Sequence, residues 1–273
     1  MKIACQEGLV PGETFKEKVD NLVALGFEGV ELCAPLAAGG ADVLKQRADE
    51  VMRALEGAPL AVSSICGGQP MTFLAGDLAQ RKAAVEGYKE ALKVAGQLKC
   101  TGPILVPIFG PPQLTDPWPL KTVEQLEMQM LVSICKELAQ VAAANKTNVV
   151  LESLNRYETH LLRTLADAMQ VCRRAGSPKS LKIMADFFHM NIEEADIAGS
   201  IRKAGKAICH VHLADSTRTE PGSGHTDFAA GFKALKEIKF RGYMAFECRI
   251  GGRDPMATLR RSVEYLKEIR ASV

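Results

Sequence analysis

"LKIMADFFHMNIEEADIAGSIRKAGKAICHVHLADS", residues 181–216, contains one full period of the pattern that organises this chain. It opens with "LKIMADF" (181–187) and closes with "AICHVHLADS" (207–216), two short apolar runs of strand length. The segment between them is longer and reads as helical. A strand, a helical segment and a second such strand make a βαβ unit, which lays its two strands parallel. The first run ends in an acid, Asp186, and the second carries His212 near its end.

The alternation extends in both directions. Further β-rich runs are "KIACQ" (2–6), "GVELCA" (29–34), "LAVSSICG" (60–67), "PILVPIFG" (103–110), "NVVLESL" (148–154) and "YMAFECR" (243–249). Segments of helical period follow, among them 13–27, 78–98 and 123–145. Eight strand–helix units in 273 residues fit a single (β/α)8 TIM barrel, one domain over residues 1–273. A doubly wound sheet is the alternative, but no GxGxxG follows the first strand and no GxxxxGK[ST] occurs, so its nucleotide-binding versions lack support. Two post-strand loops are long and rich in Gly and Pro, "FGPPQLTDPWPLKT" (109–122) and "DSTRTEPGSGHTDF" (215–228). In a barrel such loops lie on the catalytic face.

Composition narrows the function. The chain is 47% hydrophobic and 24% charged, with a net charge of +2 and no basic block or acidic tail. That gives no support for a nucleic acid or a membrane surface as partner. No secretory signal and no apolar run of about 18 residues is visible. The eight cysteines are scattered without a CxxC, so buried reduced thiols and a cytoplasmic location are expected.

Polar residues at strand ends carry the chemistry. "VVLES" ends strand five in Glu152, "IMADF" ends strand six in Asp186, "CHVHL" brings His212 to the end of strand seven, and "MAFEC" ends strand eight in Glu247. The spacings are 34, 26 and 35 residues, about one βα unit each. Four consecutive strands thus deliver four ligand-type side chains to one end of the barrel. Each is set among apolar neighbours, where an unpaired charge is costly and a divalent cation relieves the cost. Three carboxylates and an imidazole suit Mn²⁺, Co²⁺ or Mg²⁺ better than a thiolate-type zinc site.

The motifs "LESLNRYE", "DFFHMNIEE", "HVHLADSTR", "PGSG" and the "FE" of the last strand resemble the xylose isomerase-like TIM-barrel superfamily, and within it the ketose 3-epimerases. The strong match covers residues 148–250; in the N-terminal half only the architecture and "CGG" (66–68) correspond. The resemblance implies one divalent metal, Mn²⁺ first among the candidates, held by Glu152, Asp186, His212 and Glu247. It implies Glu152 and Glu247 as the acid/base pair that moves a proton at C3 of a ketose. It implies Glu158, His189 and Arg218 as substrate-binding residues. It further implies a small-molecule sugar as substrate and a homo-oligomer, dimer or tetramer.

Other residues are expected to play lesser parts. His210, two residues before His212 and on the same strand face, reads as a hydrogen-bonded interior residue one layer deeper. His225 reads as a loop residue and His160 as lying at a helix start. Cys66 reads as a packed thiol, with contact to substrate as the alternative, and Trp118 as a sugar-stacking lid or a loop anchor. Two departures from the ketose 3-epimerases stand out. "CQEGL" (5–9) places Glu7 where many of them have an aromatic residue, and "CRIGG" (248–252) puts Arg249 near the mouth. Both are expected to make the far end of the pocket more polar. They leave room for a sugar-phosphate epimerase, a hydroxypyruvate-type isomerase, or an inosose dehydratase or 3-keto-sugar lyase. An endonuclease IV-like repair enzyme would need more histidines than the five present. A non-catalytic sugar-binding barrel would not need both Glu152 and Glu247.

Overall fold

The computed structural model describes residues 1–35, 40–68 and 71–273. Its strands are β1 (Lys2–Gln6), β2 (Gly29–Pro35), β3 (Ala61–Gly68), β4 (Ile104–Leu105), β5 (Val149–Leu151), β6 (Leu181–Asp186), β7 (Ile208–Leu213) and β8 (Tyr243–Phe246). All neighbouring pairs are parallel, in the order β3-β2-β1-β8-β7-β6-β5-β4. Among the described residues one parallel bridge, Ile65 to Pro103, joins β3 to β4, with Ile65 N donating to Gly102 O at 3.3 Å. The sheet is therefore a nearly closed eight-stranded TIM barrel, as the sequence predicts.

The helices are α1 (Phe15–Leu25), α2 (Gly40–Leu55), α3 (Leu78–Gln97), α4 (Val123–Ala144), α5 (Leu165–Arg174), α6 (Phe187–Glu193), α7 (Ile197–Ala204), α8 (Phe228–Glu237) and α9 (Pro255–Ser272). Their starts are written in the sequence. Thr14 with Glu17, Thr122 with Gln125 and Thr164 with Asp167 form capping boxes that satisfy the first free amides. Asp254 caps α9 ahead of Pro255, a residue suited to the first helical turn.

Strand β4 is far shorter than the run 103–110 that suggests it. Pro103 and Pro107 flank it, and neither has an amide hydrogen to extend the ladder. The chain continues past β4 as irregular backbone, with Val106 and Phe109 turned toward the barrel mouth. Inside the barrel, Met184 packs with Ile104 and Val150 into a small apolar cluster. Asp186 shares the Met184 face of β6, two residues further on, so this cluster forms an apolar floor under the polar mouth. All eight cysteines are free. Among the described residues, no helix is long and apolar enough to cross a membrane.

Candidate active site

The strand ends converge as the spacing predicts. Glu152 follows β5, Asp186 ends β6, His212 lies in β7 and Glu247 follows β8. One ligand-type atom from each of the four lies within 4.8 Å of the other three. The β6–β7 register places Asp186 directly beside His212, which fixes two of the four by backbone pairing alone. Asp186, His212 and Glu152 are buried and Glu247 is partly open.

His212 faces this cluster with Nδ1, which is 3.1 Å from Glu247 Oε2, 3.6 Å from Asp186 Oδ2 and 3.9 Å from Glu152 Oε1. Its other nitrogen, Nε2, is 2.9 Å from Glu31 Oε1. Glu31 is fully buried in β2, and its Oε2 lies 2.6 Å from His210 Nε2. His210 is thus the interior hydrogen-bonded residue expected of it. Glu31 is not among the residues marked in the sequence, because it lies inside β2 and not at a strand end like Glu152.

His189 belongs to the first turn of α6, which begins directly after Asp186. Its Nδ1 accepts from Asn155 N at 3.2 Å and meets Asn155 Nδ2 at 2.8 Å. With Nδ1 accepting, the ring proton sits on Nε2, which points between Glu152 Oε1 (3.9 Å) and Asp186 Oδ2 (3.7 Å). Asn155, the other residue missed, also donates through Nδ2 to Glu158 Oε1 at 2.8 Å. Arg218 spans the mouth, donating from Nη1 to Glu158 Oε1 and from Nη2 to Glu247 Oε2, both at 3.1 Å. Its guanidinium lies 4.8 Å above the Phe188 ring. Glu158 sits in a turn.

The remaining side chains of "DFFHMNIEE" brace this arrangement. Phe187 is fully buried against Phe228 and Phe232. A β-carbon at Gly231 would come within 2.3 Å of the Phe187 ring, so that helix position requires glycine. Glu193 takes the Arg156 amide and guanidinium at 2.7 and 2.8 Å, and Glu194 takes the Leu165 amide at 2.8 Å. Two acids that look like a solvated helix end thus pin the neighbouring loop.

The site holds more negative charge than it can carry unaided. Burial, with the like charges of Glu247 and Asp186, pushes Glu152 well above the usual carboxylate range against the pull of His212. Burial also opposes ionisation of Asp186 and Glu31, yet His189 and His212 hold the first, and His212 and His210 the second, well below that range. His212 is raised despite its burial, chiefly by Glu31 and Glu247. Among the described residues, Asp186 Oδ2 and His189 Nε2 are buried with no hydrogen-bond partner. An orphaned acceptor among crowded carboxylates fits a divalent cation, which would neutralise the charge and engage Asp186 Oδ2. Oxygen donors with one imidazole favour a hard or borderline ion.

The cavity beside this cluster measures about 60 Å³. Glu152, Glu158, His189, Arg218 and Glu247 form its polar wall; Met71, Ile104, Val106, Phe109 and Leu154 form its apolar wall. Cys66 also lines it, with Sγ 3.7 Å from Glu247 Oε1, the alternative placement for this thiol.

Three expectations need correction. Glu7 does not line the cavity; its carboxylate accepts the Cys33 amide and pairs with Arg47. Arg249 turns to Thr217 O, 3.2 Å away, and supports the loop that carries Arg218. His160 precedes the α5 N-cap Thr164 by four residues, because residues 156–158 form a turn first. It ties Glu127 Oε2 (2.6 Å) to Gly110 O (2.8 Å). Of the other two sequence-marked residues, His225 is a loop residue beside Ser216, and Trp118 is 77% exposed, so it anchors nothing in the core.

Comparison with known proteins places this geometry. Residues 19–269 match the profile of the family described as xylose isomerase-like TIM barrel. The chain is 33% identical over 275 residues to the 3-dehydro-D-guloside 4-epimerase of Escherichia coli (strain K12), covering 98% of this chain and 99% of that one. It is 36% identical over 250 residues to the D-psicose 3-epimerase of Enterocloster bolteae, covering 85% and 76%. Among solved structures, the apo 3-keto-D-glucoside 4-epimerase from E. coli superposes with a TM-score of 0.86 at 30% identity over 98% of this chain and 99% of that one. The D-psicose 3-epimerase with D-tagatose from Clostridium cellulolyticum H10 shares the fold, with a TM-score of 0.82 at 23% identity over 99% of each chain. The chain belongs to the xylose isomerase-like TIM-barrel family, among its epimerases.

Proposed function

We propose that this chain is a divalent-metal-dependent sugar epimerase that inverts a hydroxyl-bearing carbon next to a ketone. The observation that carries the proposal is the convergence of Glu152, Asp186, His212 and Glu247 around the unpartnered Asp186 Oδ2. These four residues would hold one ion, Mn²⁺ in the first place and Co²⁺ or Mg²⁺ as alternatives. When bound, the ion supplies Lewis-acid polarisation of the substrate carbonyl and neutralises developing negative charge.

The side chains divide the remaining work. A hydrogen next to a ketone is acidic because its electron pair delocalises into the carbonyl. One of Glu152 and Glu247 takes that proton, and the other returns a proton to the opposite face. β6 and β7 separate β5 from β8, so the two carboxylates reach the mouth from different sides. His189 Nε2–H donates to a sugar oxygen, and the Arg218 fork, backed by Glu158, orients the neighbouring hydroxyls. Phe188 and the apolar wall keep water from the reacting carbon. The narrow cavity admits a sugar ring when its apolar wall moves, and unbranched Met71 is the side chain best suited to yield.

The relatives' names share this chemistry, a 4-epimerase beside a 3-ketone and a 3-epimerase of a ketose. The end-to-end match to the 4-epimerase supports a 3-keto-glycoside as substrate, epimerised at C4. C3 epimerisation of an open-chain ketose is the second reading, supported by the 36% identity to a D-psicose 3-epimerase. Product analysis of the Mn²⁺-loaded protein with 3-keto-glucosides and a ketohexose panel decides between them. Turnover of the 3-keto-glycosides alone is expected; preferential turnover of ketoses reverses the assignment, and turnover of neither removes both.

A further inference from the structure

The geometry points to Glu31 as the positioning residue that fixes His212 for metal binding, an inference that rests on the metal site proposed above. Glu31 lies one layer below the acid cluster, on a strand that contributes none of the four candidate ligands. It is fully buried, yet three groups converge on its carboxylate. His212 Nε2 lies 2.9 Å from Oε1, Gln6 Nε2 lies 3.0 Å from Oε1, and His210 Nε2 lies 2.6 Å from Oε2. The β1–β2 register sets Gln6 beside Glu31, and the same Gln6 amide reaches Glu247 Oε1 at 3.4 Å. Glu31, His212, Glu247 and Gln6 therefore close a ring of polar contacts around the base of the site.

The ring has a chemical consequence. An ionised carboxylate only accepts hydrogen bonds, so His212 must carry a proton on Nε2 to meet Glu31. In a neutral imidazole that leaves the Nδ1 lone pair free, and Nδ1 is the atom that faces Glu152, Asp186 and Glu247. Without Glu31 the ring could carry its proton on Nδ1, which would block the ligand position. A carboxylate behind a metal-binding imidazole also raises its basicity and fixes its plane. His210 supports Glu31 from the far side; among the described residues its own Nδ1 has no partner. Glu31, His210 and His212 are close enough together to hold an ion themselves. An ion there would have to displace the hydrogen bonds that already occupy both Glu31 oxygens.

The test uses the full-length protein. Glu31→Gln keeps the side-chain volume but presents an NH₂ to one of two N–H donors. Mn²⁺ affinity, read by competition with a chromophoric chelator, should fall about 10- to 100-fold in Glu31→Gln, with one ion bound per wild-type chain. In ¹⁵N-histidine-labelled, Mg²⁺-saturated wild type, long-range proton–nitrogen correlation should show His212 protonated at Nε2 and bare at Nδ1. A bound ion alone keeps Nδ1 bare, so the Glu31 contact is read from the Nε2 proton, which should lie far downfield and exchange slowly with solvent. This needs no variant if Glu31→Gln does not fold, and an Nε2 proton that exchanges freely would overturn the contact. Equal Mn²⁺ affinity in wild type and Glu31→Gln, a proton on His212 Nδ1, or two ions per chain would overturn the role of Glu31. A wild type that takes up no Mn²⁺ would instead overturn the metal reading beneath it.

Discussion

Asp186 builds the turn that presents His189. Its Oδ1 accepts the Phe188 and His189 amides at 2.7 and 3.0 Å, capping α6, while its Oδ2 is left buried and unpartnered, 3.7 Å from His189 Nε2. One carboxylate thus starts a helix with one oxygen and offers the other to the site.

The two oxygens can be separated by mutation. Asp186→Asn keeps an oxygen for the cap, whereas Asp186→Ala removes it. In metal-free protein, Asp186→Ala should be less stable than Asp186→Asn by about 1 kcal/mol, measured by urea unfolding. Both should lose Mn²⁺ binding. Equal stability of the two variants would show that the cap contributes nothing.

Arg218 adopts a left-handed backbone conformation, with φ of +58°. A side chain there costs about 1–2 kcal/mol relative to glycine. Arg218→Gly should therefore be more stable than Arg218→Ala by roughly that amount in thermal unfolding. Both should lose about 10- to 100-fold in kcat/KM, the worth of a charge-assisted hydrogen bond. If alanine is as stable as glycine, the backbone at this position is not strained.

Asp215 organises the loop that carries Arg218. Its carboxylate takes the amides of Ser216 at 2.8 Å, Gly222 at 2.8 Å and Thr226 at 3.0 Å. Burial alone would raise its pKa, but the amides of Thr226, Ser216, Gly224 and Gly222 hold it below the ordinary 3.8. The stabilisation is thus present above about pH 4, near the unfolded-chain value, and is lost as pH falls through the lower folded value. Asp215→Asn should cost about 1–3 kcal/mol at pH 7, and the gap to wild type should shrink between pH 5 and 3. A gap independent of pH would contradict this account.

The fold was legible because its signals are local and repeated. Strand β1 has the expected bounds, and β6 stops one residue short of the run 181–187, where Phe187 begins α6 instead. Strand β4 was overread because apolar content marks burial, while Pro103 and Pro107 decide whether a ladder can form. The four candidate ligands were visible as polar endings of consecutive strands. Glu31 was not, because it lies mid-strand on β2, and only barrel closure brings it to His212. Glu7 and Arg249 were misplaced for a related reason. A loop sequence shows that a charge is near the mouth, but not that Arg47 or Thr217 O has already claimed it.

The central claim is proton exchange at a carbon beside a ketone, carried by Glu152 and Glu247 with a divalent metal. Incubation of the Mn²⁺-loaded protein with 3-keto-glucoside in D₂O, followed by proton NMR, tests it most directly. The account predicts a C4 epimer carrying one deuterium at the inverted carbon. Label incorporation should disappear with EDTA, in Glu152→Gln and in Glu247→Gln. An epimer formed without deuterium, or full turnover by either variant, would contradict it.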